Sequence, residues 1–449
     1  MTPASPDPYD LVPYPSNAYY AVHPDRLFTT ATLQGMSPAP VEHARILEIG
    51  CGAGGNLLPI AAALPCATLV GLDPAPDLDQ AEATRAALGL DNVSLLRLGI
   101  DELPAEYGPF DYILCHGVFS WVPAAVRASI LTTCRDRLAP QGVALISYNT
   151  YPGWHQGDMA RELVNYHADP SLAPDQRVAR SRELVAFLAE QAPDVPGGHR
   201  DFLRWLNDSW QSATDGYLFH EYFAASNVPL YFRDFVSQLH AHSLQWFGES
   251  RPVMMALDAQ PAPLATALSR IPDNLRAQQY LDLSINRRFR SSLIRRADAA
   301  AAPPPFQPRL ASLFARAEAA TEVEGDMQHL SEIRALLLAR EPEAVPVSEI
   351  LATLGPVSET LSALFYSEAI FLHGWRPDVT ANIQQAPRCS PWARAEAVDD
   401  HRVTNQWHDY RHLAPETAAW IPRLDGGMAR ESVPPAVLET LRREGYLLS

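Results

Sequence analysis

The chain has 449 residues, of which 47% are hydrophobic and 19% are charged, and its formal net charge is −17. This length accommodates two or three domains with cores of their own, and the composition is that of an ordinary globular protein. The acidic balance argues against a nucleic-acid backbone as partner, because phosphate binding needs clustered Lys and Arg.

The five cysteines form no CxxC pair, and no His stands at metal-ligand spacing from them. We therefore expect reduced thiols, no metal site and a cytoplasmic location. The N-terminal stretch MTPASPDPYD has no basic or apolar signal region. No run of the sequence approaches the roughly 18 apolar residues of a membrane span, so membrane insertion is not expected.

Residues 44–149 alternate short apolar runs with helical patterns. Buried strands joined by helical crossovers predict a parallel, doubly wound α/β sheet of the Rossmann kind. The predicted strands are Arg45–Ile49, Thr68–Leu72, Val93–Arg97, Phe110–Cys115 and Val143–Tyr148, and the clearest helices between them are Asp77–Leu88 and Pro123–Leu138. Ligands bind such sheets at the carboxyl ends of the strands, so the residues after each strand are the candidates for function.

The rest of the chain is predicted to cover and extend this sheet. Residues 156–300 are assigned to a helical lid or regulatory region, with a helix and short strand in 230–249 and the last strand in Leu281–Arg295. The tract Ala297–Pro308, ADAAAAPPPFQP, is the clearest linker. Residues 309–449 form a mainly helical domain for which a winged helix is one option, although 13 Arg against 20 Asp and Glu there argue against DNA binding.

The most informative motif is ILEIGCGAGGN, in which Glu48 precedes a glycine loop from Gly50 to Gly55. The glycine spacing alone also fits a dinucleotide fingerprint. A carboxylate at that strand end would repel a pyrophosphate, whereas S-adenosylmethionine carries a sulfonium, an ammonium and ribose hydroxyls, which acidic groups can bind. Asp73 follows the next strand about 20 residues on, where a βαβ unit places a ribose-binding carboxylate. The motif therefore favours a methyl donor over NAD.

Two further strand ends carry polar and aromatic residues that suit methyl transfer. CHGVFSWVP follows the fourth strand and YNTYPGWH follows the fifth. A sulfonium methyl needs an in-line lone pair, an apolar wall and oxygen atoms around it, and no strong base. His116, Tyr148, Asn149 and Trp154 are the catalytic candidates, although each could instead be a structural residue that caps the sheet.

Other candidates lie outside the core. Tyr14, in the proline-bracketed DLVPYPSNAY, is predicted to belong to an N-terminal cap, residues 1–43, that closes over the cofactor. A solvated leader explains the same segment equally well. His220 and Glu221 are tentative substrate residues, because a Glu after the lid would attract an ammonium; a helix-start carboxylate is the alternative.

Several strings of the chain resemble bacterial protein-lysine methyltransferases of the rickettsial type that modifies outer-membrane proteins. That family combines a class I methyltransferase core with a regulatory domain and a C-terminal domain, and the likeness extends over the whole chain. The matching strings are LVPYPS, HPDRL, LEIGCGAGGN, FDYILCHGVFSWVP, ISYNTYPGW, FHEYF, NVPLYF, SLQWFGES, VTNQWHDYRHL and PRLDGG.

The resemblance implies an S-adenosylmethionine site over the glycine loop, with S-adenosylhomocysteine as product. It assigns cofactor binding to the loop and to the ends of the second to fourth strands. It assigns the substrate side to the segment of Tyr14 and to the loops His116–Trp121 and Tyr148–Trp154. The cofactor residues are Glu48, Gly50, Cys51, Gly52, Asn56, Asp73, Pro74, Gly99, Ile100, Asp101 and His116. Two departures are notable: Gly99 replaces an Asp usual near the adenine, and Phe119 replaces a Tyr near the methyl group.

The leading hypothesis is therefore methyl transfer from S-adenosylmethionine to an amine, with protein lysine side chains as acceptors and a lysine-rich protein as partner. The alternatives are a small-molecule or peptide acceptor, a non-catalytic protein that binds the cofactor, and an NAD dehydrogenase. The absence of Lys from the chain suits an enzyme that should not modify itself, but a GC-rich genome explains it more simply. The sequence leaves the acceptor and the oligomeric state open, with a dimer among the options.

Overall fold

The computed structural model describes residue 12 and residues 16–299, 306–318, 329–398 and 401–449. Tyr14 and residues 300–305 of the linker lie outside these ranges.

A mixed sheet forms the centre of the fold, and it confirms the predicted α/β class. Its order is β3-β2-β1-β4-β5-β7-β6, in which β1 to β5 run parallel while β7 and β6 are antiparallel to their neighbours. The strands are β1 (Arg45–Ile49), β2 (Thr68–Leu72), β3 (Val93–Leu96), β4 (Phe110–Cys115), β5 (Leu138–Asn149), β6 (Leu244–Glu249) and β7 (Phe289–Arg296).

Helices cover both faces of this sheet because its strands are apolar on both sides. Two buried clusters result, one that contains Ile46 and Leu145 and one that contains Leu47 and Ile146. The helices of this part are α1 (Pro24–Leu33), α2 (Leu57–Ala63), α3 (Leu78–Leu88) and α4 (Ala124–Arg137). The order of the strands reverses at β1 and β4, so the ends of these two strands diverge there and leave room for a ligand.

The segment between β5 and β7 is mostly helical, and its first helices share an apolar cluster of their own, which includes Phe202 and Trp210. The helices are α5 (His155–His167), α6 (Pro174–Gln191), α7 (His199–Gln211), α8 (Asp215–Phe223), α9 (Phe232–Ala241), α10 (Ala262–Ser269) and α11 (Asn274–Ser284). The predicted helix and strand in 230–249 are confirmed as α9 and β6.

The last strand predicted in Leu281–Arg295 is confirmed as β7, which takes up only the second half of that segment. Residues 281–284 end α11, and β7 begins only at Phe289. Asp282 explains the helix, because its buried carboxylate receives hydrogen bonds from Arg290 Nε and Nη2, both at 2.8 Å. Glu249 on β6 also pairs with Arg290. A buried charged cluster therefore links α11 to β6 and β7.

The C-terminal region combines helices with short strands. Strands β8 (Phe314–Arg316), β9 (Val345–Pro346) and β10 (Phe371–His373) pair antiparallel in the order β10-β8-β9, and β11 (Arg402–Thr404) pairs with β12 (Tyr410–His412). The helices are α12 (Phe306–Ala311), α13 (Leu330–Leu338), α14 (Val347–Leu354), α15 (Ser358–Tyr366), α16 (Pro391–Glu396), α17 (Pro415–Ala418) and α18 (Pro435–Arg443). Strands of two or three residues carry no readable alternation, so the sequence did not predict them.

Helix α1 connects the C-terminal region to the sheet. Its Asp25 carboxylate is buried and accepts hydrogen bonds from the backbone N–H groups of Gly374 and Trp375 at 2.8 and 3.0 Å. Asp25 also contacts His373 Nδ1 at 2.7 Å. The two regions therefore share a polar, buried interface around α1. Among the described residues, no helix is both long enough and apolar enough to span a bilayer.

Candidate functional site

A cleft of about 590 Å³ opens at the carboxyl ends of β1, β2 and β4. One side, which we call the glycine-loop wall, consists of Glu48, residues 50–53, Asn56 and residues 73–77. The other side, the opposite wall, consists of Tyr19, residues 116–118, residues 121–123 and His220. Ser16 and Asn17 close the rim between them. No Arg from the described part of the chain lines this cleft, and the whole chain lacks Lys.

The glycine loop has a backbone conformation that is unfavourable for residues other than glycine. Gly50 has φ +76°, and a Cβ atom there would lie 2.3 Å from Val118 Cγ2 on the opposite wall. A Cβ atom on Gly55 would lie 2.3 Å from the backbone oxygen of Ser16. Ser16 Oγ accepts a hydrogen bond from the Gly55 N–H at 2.8 Å. The loop is thus closely packed against both the opposite wall and the N-terminal segment.

Asp73 organises the glycine-loop wall. Its Oδ2 accepts from the Gly52 N–H at 2.8 Å, and its Oδ1 accepts from the Ala75 N–H at 2.8 Å. Each carboxylate oxygen has a further lone pair, and the residue lines the cleft. A vicinal diol such as that of a ribose can donate two hydrogen bonds to such a group.

Glu48 is 4% exposed and lies at the bottom of the cleft. Its Oε1 accepts from Asn56 Nδ2 at 2.8 Å, while Oε2 makes no hydrogen bond to the described residues. Burial raises the pKa of Glu48 to about 8; the Asn56 hydrogen bond opposes this rise and the nearby Asp73 adds to it. A cation placed against Oε2 would stabilise the carboxylate.

His116 is the polar centre of the opposite wall. Its ring lies 4.6 Å from the ring of Tyr19, and its Nδ1 has no partner among the described residues. Burial lowers the pKa of His116 to about 4, so its imidazole is neutral at physiological pH. A neutral ring beside the cleft does not repel a cationic ligand. Trp121 lines the same wall.

Three predicted catalytic residues, at the end of β5 and just beyond it, are not among the residues that line the cleft. Tyr148 is buried on the other face of the sheet, with its ring stacked 4.1 Å from that of Phe235. Asn149 Nδ2 donates to Asn227 Oδ1 at 3.1 Å. Trp154 is buried, and the Arg288 guanidinium lies over the Trp154 ring, 5.4 Å from the ring centroid. Side chains alternate along β5, so consecutive residues point to opposite faces.

The predicted adenine-side residues also lie outside the cleft lining. Gly99 donates its N–H to Glu102 Oε2 at 2.8 Å, Ile100 is buried in the core, and Asp101 is exposed. Residues 74–77 after β2 line that side instead. Of the predicted cofactor residues, the structure brings together in the cleft Glu48, Gly50, Cys51, Gly52, Asn56, Asp73, Pro74 and His116.

Of the two tentative substrate residues, His220 and Glu221, only His220 lines the cleft. His220 lines the cleft and contacts the Val12 carbonyl through Nε2 at 2.6 Å. Glu221 points into the helical segment, where burial raises its pKa to about 7 and Arg288 and Arg161 oppose the rise. Sequence reasoning did not single out Ser16, Asn17 and Tyr19, although they belong to the segment DLVPYPSNAY that it selected for Tyr14.

Comparison with known proteins agrees with this geometry. The methyltransferase domain family matches residues 47–144, and a predicted methyltransferase regulatory domain matches residues 214–296. An uncharacterised Rickettsia prowazekii protein is 36% identical over 231 residues, which are 51% of this chain and 92% of that protein. The chain belongs to the same family as this Rickettsia prowazekii protein and is a class I S-adenosylmethionine-dependent methyltransferase. The methyltransferase class expected from the sequence strings is thereby confirmed, and so is S-adenosylmethionine as the cofactor.

Two further relatives define the extent of the likeness. A second uncharacterised Rickettsia prowazekii protein is 37% identical over 294 residues, or 65% of this chain, and the chain spans only 53% of that protein's length. The structure of PKMT2 from Rickettsia typhi in complex with AdoHcy superimposes with a TM-score of 0.84. The superposition covers 97% of this chain and 100% of that one at 24% identity, so the two share a fold.

Proposed function

We propose that this methyltransferase transfers the methyl group of S-adenosylmethionine to lysine side chains of an acceptor protein in the cytoplasm. The observation that carries the proposal is the cleft itself, which is lined by the acidic residues Glu48, Asp73 and Asp77 and by no Arg from the described residues. A phosphate-bearing dinucleotide would meet negative potential there, whereas a sulfonium and an ammonium meet favourable charge.

The residues of the cleft fit the cofactor by their free hydrogen-bonding capacity. Asp73 holds the glycine loop with one lone pair of each oxygen and offers the others to the ribose hydroxyls. Glu48 Oε2 is the natural partner of the α-ammonium group. The cofactor supplies an electrophilic methyl group on sulfur when it is bound.

The opposite wall suits an amine acceptor. An amine attacks the methyl carbon with its lone pair while the carbon–sulfur bond breaks, and the nitrogen then loses a proton. His116 and Tyr19 surround the expected methyl position with neutral polar groups and aromatic surface. The net charge of −17 favours the approach of a lysine-rich protein. The five cysteines are all free, which fits a reducing cytoplasm.

The test is a methyl-transfer assay with tritiated S-adenosylmethionine and a lysate of cognate cells. We expect label in protein, recovered as methyl-lysine after acid hydrolysis. Because the chain contains no Lys, that product can come only from an acceptor. D73N is the control, and it should lower labelling at limiting cofactor by about tenfold or more, the cost of unpaired buried hydroxyls.

Other outcomes separate the alternatives. Label in a small-molecule fraction alone would replace the protein acceptor by a metabolite or peptide. Cofactor binding without any turnover would indicate a non-catalytic binding protein. Calorimetry that shows no binding of S-adenosylhomocysteine at high concentration would contradict the proposed function as a whole.

A further inference from the structure

The string VTNQWHDYRHL near the C-terminus folds into a tight turn whose function the cleft alone does not explain. The turn joins β11 to β12, and His408 at its tip has φ +64° and is 3% exposed. Asn405 holds this turn, because its Oδ1 accepts from the N–H groups of Trp407 and Asp409, both at 2.9 Å. The backbone thus presents the His408 ring in one fixed direction.

That direction leads to the back of the glycine loop. His408 Nε2 lies 2.9 Å from Asn56 Oδ1, although the two residues are 352 positions apart in the chain. The same Oδ1 accepts from the Tyr19 N–H at 3.1 Å. The Asn56 Nδ2 donates to Glu48 Oε1 at 2.8 Å. One amide therefore connects the C-terminal region, the N-terminal segment and the buried carboxylate of the cleft.

The donors in this chain can be assigned. A backbone N–H can only donate, so the Asn56 atom that faces Tyr19 is the oxygen, and its NH₂ group faces Glu48. His408 must then donate through Nε2–H. Burial and the adjacent His23 lower the pKa of His408 well below its usual value, so the ring carries a single hydrogen.

The surroundings of His408 hold its ring in place. The ring lies 5.0 Å from that of His23, which is stacked 5.4 Å from the ring of Trp375. His23 belongs to the N-terminal string HPDRL, and Trp375 belongs to the C-terminal region. His408 therefore has little freedom to rotate away from Asn56.

We propose that His408 is a positioning residue for cofactor binding, which acts through Asn56 to hold the Glu48 carboxylate toward the α-ammonium group of S-adenosylmethionine. This inference rests on the proposed function. Without the donor at His408, the Asn56 oxygen keeps only the Tyr19 N–H as its partner. The amide is then held less firmly, and so is the hydrogen bond by which its NH₂ group orients the Glu48 carboxylate. The C-terminal region would in this way complete the cofactor site from behind the glycine loop.

The test compares two ligands that differ only at the amino-acid end. S-adenosylhomocysteine carries the α-ammonium group, and 5′-methylthioadenosine has the same nucleoside without it. With the full chain, we expect H408F to lower the affinity for S-adenosylhomocysteine about tenfold in calorimetry. The affinity for methylthioadenosine should change by less than twofold. H408Q, whose side-chain amide can donate, should recover most of the loss.

Turnover and a double variant add independent readouts. H408F should raise the KM for S-adenosylmethionine with kcat nearly unchanged, and it should have little further effect in an N56A background. Equal losses for both ligands, no loss for either, or additive effects with N56A would overturn the inference. If the unmodified protein bound neither ligand, the proposed function itself would fail, so the two failures are distinguishable.

Discussion

The two walls of the cleft arise from different kinds of information in the chain. On the glycine-loop wall, one short motif and the end of the next strand supply the residues, and the backbone itself sets their positions. On the opposite wall, a loop after β4 meets Tyr19 and His220, which come from distant parts of the chain. A local backbone motif can be located from spacing. For the opposite wall the sequence named members such as His116 and His220, but it could not show that long-range packing brings them together.

The largest expected effect comes from adding a side chain where the two walls touch. Gly50→Ala should weaken the binding of S-adenosylhomocysteine at least 100-fold, as measured by calorimetry. The left-handed backbone at φ +76° costs about 1–2 kcal/mol for a side chain, and the new Cβ lies 2.3 Å from Val118 Cγ2.

Gly89→Ala is the matched control for this change. Gly89 also has a positive φ, +63°, but lies outside the cleft with nothing within 4 Å of the added Cβ. Gly89→Ala should reduce the melting temperature of the protein without changing its affinity for S-adenosylhomocysteine. The double variant G50A/V118A should recover part of the affinity. Binding by G50A within threefold of the unmodified protein would contradict the close approach of the two walls.

An intermediate effect is expected from the pH dependence of the glycine-loop wall. The pKa of Glu48 is raised to about 8, so the carboxyl is protonated in the free protein below that pH. An α-ammonium ligand requires the carboxylate, and its binding should release a proton. Affinity for S-adenosylhomocysteine should therefore rise from pH 6 toward pH 8 by up to about tenfold per unit.

Calorimetry in buffers of different ionisation enthalpy measures that proton release directly. E48Q should bind S-adenosylhomocysteine more weakly at pH 8, and its affinity should not change between pH 6 and pH 8. Methylthioadenosine, which lacks the ammonium, should show no slope with either protein. A slope that persisted in E48Q would assign the titration to another group.

The smallest effect is expected from removing the Tyr148 hydroxyl. This change tests toward which face of the sheet the Tyr148 side chain points. Tyr148→Phe should change kcat and KM for methyl transfer by less than twofold, because the hydroxyl lies on the face of the sheet that packs against Phe235. His116→Ala, in the opposite wall, should lower turnover at least tenfold under the same assay. A tenfold loss in Y148F with an unchanged melting temperature would return Tyr148 to the catalytic machinery.

Sequence reasoning succeeded where a physical signal is short-ranged. Strands β1, β2 and β4 form at their predicted bounds, since each is a short, mostly apolar run between turn residues. Glu48 and Asp73 meet in the cleft because parallel strands bring their carboxyl ends to one edge. The short strands β8 to β12 were missed because their pairing, rather than their composition, makes them strands.

Errors in the site follow from side-chain direction. Tyr148 was selected for its place at a strand end, but the alternation of β5 turns it toward Phe235, while Ser147 on the cleft side accepts from the Gly117 N–H at 2.8 Å. The sheet's hydrogen-bond register with β4 and β7 decides this direction, and register depends on residues far away in the chain.

By itself the sequence determined the glycine loop, the two carboxylates and hence the class of cofactor, because backbone conformation and charge at a strand end are local properties. Only the tertiary structure decided what stands behind and opposite them. His408 reaches Asn56 across 352 positions, and Tyr19 and His116 meet over the cleft. Such contacts depend on how separate regions pack, and packing is a property of the whole buried interior rather than of any one segment.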